Sequence, residues 1–181
     1  MRYQSEVTLK SGEKCLVRNL VADDAREAFD LFQVTHAETD FLTSYPDENS
    51  YDDEKWRANL ERLADSERDV ELGAYVGGRL LGTASVNALS KRYKMRHRSE
   101  LGISVLREAW GRGIGRALME AAIGCARQMG FGQLELEVVA DNERALGLYR
   151  SLGFVEFGRN PKAFRSRTSG WQELVLMRLE L

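Results

Sequence analysis

Trp110-Gly111-Arg112-Gly113-Ile114-Gly115-Arg116 stands where the apolar run Leu101-Gly102-Ile103-Ser104-Val105 ends and a helical pattern begins, with Ile114, Leu118, Ala121, Cys125 and Met129 on one stripe. The spacing predicts a strand, a glycine turn and a helix in that order. Alternate glycines let the backbone approach a ligand with no Cβ in the way. The first turn of the helix carries unpaired N–H groups and the positive end of a dipole, so its natural guest is an anion, most often a phosphate. Arg112 and Arg116 add charge there. Taken alone, the stretch also reads as a tight strand-to-helix turn with no ligand. A dinucleotide fingerprint, G-x-G-x-x-G, fails because its third glycine falls at Arg116, and the string G-x-x-x-x-G-K-[ST] does not occur.

Upstream, Val7-Thr8-Leu9 and Cys15-Leu16-Val17 enclose Ser11-Gly12-Glu13-Lys14 and predict a hairpin. Asp23 or Asp24 is expected to cap a helix whose stripe is Ala25, Phe29, Phe32 and His36. A polar connection around Tyr45-Pro46-Asp47 leads to a second helix with Trp56, Leu60 and Leu63 on one face. Residues 71–76 and 80–86 flank Gly77-Gly78, a hairpin signal, and residues 99–106 form the strand before the glycine turn. Downstream, the long helix ends at Gly130, and the alternating Leu134-Glu135-Leu136-Glu137-Val138-Val139 reads as a strand. Asp141 or Asn142 then caps a short helix ending at Gly153, and strands near 154–158 and 172–179 close the chain. The predicted architecture is α/β (α+β): a single domain over 1–181, built on one mixed, mostly antiparallel twisted sheet flanked by helices. The closing strand, Leu174-Val175-Leu176-Met177, either pairs with a second subunit in a homodimer or is buried.

The chain has 181 residues, enough for one domain with a sizeable core; it is 43% hydrophobic and 30% charged, with a net charge of −2. That balance gives no general grip on nucleic acid. Cys15 and Cys125 match no metal spacing, and His36 and His97 are too isolated to form a metal site. The N-terminus has no signal-like apolar region and no run is long enough to span a membrane, so a reducing cytoplasm is the expected location.

A second motif is Asn142-Glu143-Arg144-Ala145-Leu146-Gly147-Leu148-Tyr149-Arg150-Ser151-Leu152-Gly153-Phe154. Together with the glycine turn it resembles the GNAT superfamily of N-acetyltransferases. The family's cofactor signature, R/Q-x-x-G-x-G/A, is matched by Trp110-Gly111-Arg112-Gly113-Ile114-Gly115 at every position but the first. The pattern N-x-x-A-x-x-x-Y-x-x-x-G-F is matched in full. Trp110 leaves the backbone cradle intact but departs from the polar side chain that family members usually carry there. The resemblance implies the GNAT fold and acetyl-CoA as co-substrate. The diphosphate is expected on the amides of Gly111, Arg112, Gly113, Ile114, Gly115 and Arg116. The pantetheine arm is expected to pair like a strand with Ile103-Ser104-Val105, where an amide near Val105 would polarise the thioester carbonyl. Asn142 and Tyr149 lie seven positions apart, on one helix face, at the same site.

The implied reaction is direct acetyl transfer to an amine. An alkyl amine with a pKa of about 10.4 is nucleophilic in only about one molecule in a few thousand at neutral pH, so a base is needed. Glu100 and Glu137 are the candidates, Glu137 lying where ribosomal-protein alanine acetyltransferases carry an acidic catalytic residue; a solvated sheet face is the alternative for it. By resemblance Tyr149 protonates or hydrogen-bonds the leaving thiolate; an aromatic core residue is the alternative. No G-x-S-x-G elbow suggests a covalent enzyme intermediate.

The acceptor amine is not named by the sequence. Lys91-Arg92-Tyr93-Lys94-Met95-Arg96-His97-Arg98 and the basic loop 159–167 would suit an acidic substrate, or are solvated loops. Asp47-Glu48-Asn49-Ser50-Tyr51-Asp52-Asp53-Glu54 would suit a polyamine or basic peptide, or is a helix start rich in carboxylates. A non-catalytic acetyl-CoA sensor on the same fold would keep the glycine turn and dispense with Tyr149 and both glutamates.

Overall fold

The computed structural model describes residues 2–181; Met1, the first residue of the predicted domain, lies outside them. Two strands open the chain, β1 (Gln4–Thr8) and β2 (Lys14–Asn19), followed by helices α1 (Ala25–Glu38) and α2 (Asp53–Ala64). Next come β3 (Val70–Val76), β4 (Arg79–Ala88), β5 (Arg98–Val105) and α3 (Ile114–Gln128). The chain ends with β6 (Gln133–Val139), α4 (Glu143–Ser151), β7 (Val155–Ser166) and β8 (Gly170–Glu180). All eight strands form one sheet, in the order β1-β2-β3-β4-β5-β6-β8-β7. Every pairing is antiparallel except β5 with β6. The mixed, mostly antiparallel sheet flanked by helices is thus the predicted fold class.

In the middle of the sheet burial is continuous rather than alternating: Leu72, Gly73, Ala74 and Tyr75 are all buried, as are Leu80, Leu81 and Gly82. Both faces are therefore covered. α1 and α2 pack on each other and on β3 to β5, while α3 packs on β2 to β5. The stripe of α3 lies in the core, with Ile114, Leu118 and Cys125 at 0% exposure. Gly77 and Gly78 take φ of 60° and 81°, the two left-handed positions of a tight hairpin turn. At Gly82 an added Cβ would lie 2.8 Å from the Ser104 carbonyl oxygen and 3.1 Å from Leu118, so only glycine lets α3 lie this close to β4 and β5.

Several expectations are corrected. Asp24 precedes α1, but its carboxylate does not cap the helix; it accepts from both Nη atoms of Arg18 (2.7 and 2.8 Å) and from the Val21 amide. The residues 159–167 expected to form a basic loop instead lie mostly in β7, which runs on to Ser166. Of the two expectations for the closing strand, burial is the one found. β8 sits between β6 and β7 with both edges paired, and β7 is the outer strand at that end of the sheet.

Candidate active site

Hydrogen-bonded pairing between β5 and β6 stops early. Arg98 faces Gln133, Ser99 faces Leu134 and Glu100 faces Glu135; beyond that the strands part. The other edge of β5 stays paired with β4 as far as Gly82 opposite Val105, and β6 stays paired with β8 along its length. The parted edges enclose a cleft of about 770 Å³, a volume suited to an organic ligand. The last joined rung is reinforced by Arg98, which donates to both oxygens of the buried Glu135 carboxylate at 2.5 and 2.7 Å.

At one end of the cleft lies the glycine turn. Gly111 and Gly113 take φ of 77° and 96°, and Gly113 is the left-handed N-cap of α3. The first helical bond runs from the Ala117 amide to the Gly113 carbonyl. The amides of Gly111, Arg112 and Gly113 donate to no acceptor among the described residues, and those of the helix's first turn have no intrahelical partner. Gly111, Gly113, Gly115 and Arg116 line the cleft. Two of the predicted cofactor-binding residues do not: the Arg112 guanidinium is turned to Glu13, at 2.9 and 3.0 Å, and Ile114 is buried in the core. Only their backbone amides remain available there, because those two side chains tie the turn to the β1–β2 hairpin and the core. Arg116 also donates to Ser151, at 2.6 Å.

Trp110 has a structural task that its pattern did not show. Its indole N–H donates to the Val105 carbonyl at 2.8 Å, fastening the end of β5 to the turn. Its ring lies under the guanidinium of Arg144, 5.2 Å from centroid to Cζ. Arg144, in the first turn of α4, thereby hangs over the mouth of the turn, and a Cβ at Gly111 would lie 4.0 Å from its Nη1. No sequence reasoning singled out Arg144; its place two residues after the helix cap, beside a motif lacking its usual Arg or Gln, was the available signal.

Asn142 caps α4, its side-chain oxygen accepting from the Ala145 amide at 3.2 Å, and it too lines the cleft. Tyr149 is 7% exposed and packs on Phe154, with ring centroids 6.0 Å apart. Its hydroxyl has no hydrogen-bond partner among the described residues, although the side chain lines the cleft. Burial pushes the phenol pKa up to about 12, so it is protonated at neutral pH and able to donate.

Ile103, Ser104 and Val105 line the cleft along the freed edge of β5. Glu100 and Glu137 line it too, and register puts them on one sheet face: Glu100 is opposite Glu135, and Glu137 is two residues beyond. Neither carboxylate forms an ion pair or hydrogen bond among the described residues. Partial burial, and then the charges of Glu137 and Glu135, hold the Glu100 carboxyl above its ordinary range. Arg98, close by in sequence, does not pair with Glu100; it is spent on Glu135 instead.

The far wall comes from residues that no motif marked. Phe41, Leu42 and Thr43 follow α1, and Phe164 and Leu174 come from β7 and β8. One carboxylate binds these segments together. Asp40 accepts from Tyr45, Ser166, Thr168 and Ser169, and its carbonyl accepts from Gln172. The Ser166 hydroxyl first, then those of Tyr45, Ser169 and Thr168, keep the Asp40 carboxyl below the usual carboxylate range. Nearby, Arg167 pairs with Asp47 and Glu48, so the acidic stretch and the second basic segment neutralise each other outside the cleft. Asp52 caps α2, and none of residues 91–98 lines the cleft. Among the described residues no cluster of three or more His, Cys, Asp or Glu is placed to hold a metal ion, and no helix is long and apolar enough to cross a membrane.

Comparison with known proteins agrees with this fold. Residues 30–154 match the model of the Acetyltransferase (GNAT) family. The N-alpha-acetyltransferase RimI of Mycobacterium tuberculosis is 35% identical over 114 residues, 62% of this chain and 70% of the relative. A GNAT-family acetyltransferase structure from Streptococcus pneumoniae superposes with a TM-score of 0.87 at 27% identity, covering 92% of this chain and 99% of that one. A Salmonella typhimurium structure, described as a putative acetyltransferase with its cofactor acetyl-CoA, shares the fold at a TM-score of 0.79 and 22% identity, covering 91% and 92%. The chain is an acyltransferase of the GNAT superfamily of N-acetyltransferases.

Proposed function

We propose that the cleft between β5 and β6 binds acetyl-CoA and an amine side by side and passes the acetyl group directly between them. The observation that carries this reading is the parting of the two strands immediately after the Glu100–Glu135 rung, with the glycine turn at one end of the gap. The Gly111–Arg116 amides would hold the diphosphate, and Arg144, stacked on Trp110, would supply the polar side-chain contact that the Arg or Gln of the family signature usually provides. The freed edge of Ile103-Ser104-Val105 offers backbone groups for an extended pantetheine arm. A Cβ at Gly111 would point into the space between turn and guanidinium, which fits a cradle kept open for a ligand.

The thioester supplies the activated acyl group. Glu100 or Glu137, directly or through water, takes a proton from the ammonium; the freed amine nitrogen bonds to the acyl carbon as the carbon–sulfur bond breaks. Tyr149 gives its proton to the departing sulfur, the nitrogen's second proton passes through water to re-protonate Tyr149, and the glutamate releases its own to solvent. The products are an N-acetylated amine and free CoA. The two cysteines, both free and buried, suit the reducing cytoplasm to which this reading assigns the reaction. The test is thiol release from acetyl-CoA against an amine panel, with acetyl-CoA binding measured alongside. Amine-dependent release supports the transferase, whereas binding without release across the panel would mark a sensor.

A further inference from the structure

The cleft's basic residues keep to its glycine-turn end, which Asp141 and Glu143 also line. Gly82 points its Cβ position at Leu118 of α3 and lies opposite Val105, so Val105, Ile103 and Leu101 face α3. Glu100, Gly102 and Ser104 therefore face the other way, together with Asn87 and Ser85, which stand opposite Glu100 and Gly102. Glu137 shares that face, as does Leu174, paired opposite Val139. This is the side closed by Thr35, Thr39 and the Phe41–Thr43 segment. The basic residues that line the cleft are Lys10, Arg116 and Arg144, and they belong to the β1–β2 turn, α3 and α4. No Lys, Arg or His among the described residues lines the acceptor side.

We infer that the acceptor is an alkyl diamine or polyamine with no carboxylate beside either of its bound nitrogens. This deepens the proposed acetyl transfer and rests on it. Two unpaired carboxylates on one face take two ammonium groups: one accepts the proton of the reacting amine and the other holds the second cation. Phe41, Leu42, Phe164 and Leu174 give an apolar wall for the methylene chain between them. The unpartnered hydroxyl of Tyr149, on a side chain 7% exposed, marks where the reacting end belongs. An amino acid would bring its α-carboxylate to a wall that offers no cation and two negative charges. Leaving that group unpaired lowers kcat/KM by about 100-fold.

The test compares 1,5-diaminopentane, lysine and 1-aminopentane, which share a five-carbon amine chain, in the thiol-release assay, with acetyl-CoA binding followed separately. The expected order places the diamine about 100-fold above lysine and about tenfold above the monoamine, the second gap closing as ionic strength rises. Turnover of lysine equal to or faster than that of the diamine would overturn the acceptor assignment while leaving the transferase reading intact. Equal rates for diamine and monoamine would overturn the role of the second carboxylate. Acetyl-CoA binding without thiol release for any amine would instead remove the transferase reading on which the assignment stands.

Discussion

Gly111 and Gly130 offer a matched pair for testing the glycine turn. Their φ values are 77° and 75°, one at each end of α3. At Gly130 an added Cβ meets nothing within 4 Å, and at Gly111 its nearest neighbour is the Arg144 guanidinium at 4.0 Å. Substitution by alanine therefore adds the same left-handed strain at both sites with no clash, costing about 1–2 kcal/mol. For a chain of this size 1 kcal/mol moves Tm by about 2–4 °C, so both variants should melt roughly 2–8 °C lower. Acetyl-CoA at 100 times its Kd stabilises the wild type by about 2.7 kcal/mol, a rise of roughly 5–11 °C. Gly130→Ala should keep that rise. Gly111→Ala should lose most of it, because its methyl group occupies the diphosphate cradle. The readout is thermal melting with and without acetyl-CoA. A full ligand-induced rise in Gly111→Ala would refute the reasoning, since a loop indifferent to that methyl group does not hold the ligand.

Other perturbations reach different parts of the site. Arg98→Met leaves the buried Glu135 carboxylate without its cation, with only the Gln133 amide donating to it, and should cost about 3 kcal/mol in denaturant melts, with most of that recovered in Arg98→Met/Glu135→Leu; a double variant no better than the single would break the argument. Gly82→Ala forces a methyl group to within 2.8 Å of the Ser104 carbonyl and should lose about 1–3 kcal/mol while raising the KM for acetyl-CoA; unchanged stability would show that the packing can relax. Asp40→Ala unties the Phe41–Thr43 segment from the β7–β8 turn, so the amine KM should rise several-fold more than the acetyl-CoA KM in steady-state assays. The Glu100 carboxyl titrates above its ordinary range, so its protonated form is favoured on folding; that contribution is whole below the ordinary carboxylate range and is lost as pH rises through the folded value. Glu100→Gln should thus be more stable than wild type at neutral pH, by less than about 1 kcal/mol for so exposed a group, with the gap closing in acid.

What was legible in the chain was local. Alternation at 134–139, the helical stripe after Ile114 and the paired glycines at 77–78 each reported their own element through periodicity or backbone freedom. The glycine turn and the Asn142–Tyr149 spacing both reached the cleft because each motif lies within one connection or one helix. Long-range partners were not legible. Arg112 reads as an anion contact until the fold brings Glu13 to it, 99 positions away. Asp40 looks like any loop aspartate, yet apart from Tyr45 its partners lie more than 120 positions on. The early end of β5–β6 pairing leaves no trace in either strand's pattern, since both remain good strands with their other edges filled. The same holds for the insertion of β8 between β6 and β7, which is a choice of topology and not of local propensity.

Tyr149→Phe tests the central claim most directly, because it removes one hydroxyl from a buried ring whose packing on Phe154 survives. Wild type and variant are compared for acetyl-CoA affinity by calorimetry and for amine-dependent thiol release by continuous assay. The account predicts unchanged affinity and a rate lower by on the order of 100-fold, as befits the loss of a proton donor to the leaving sulfur. Full activity in the variant would contradict it and leave Tyr149 a packing residue.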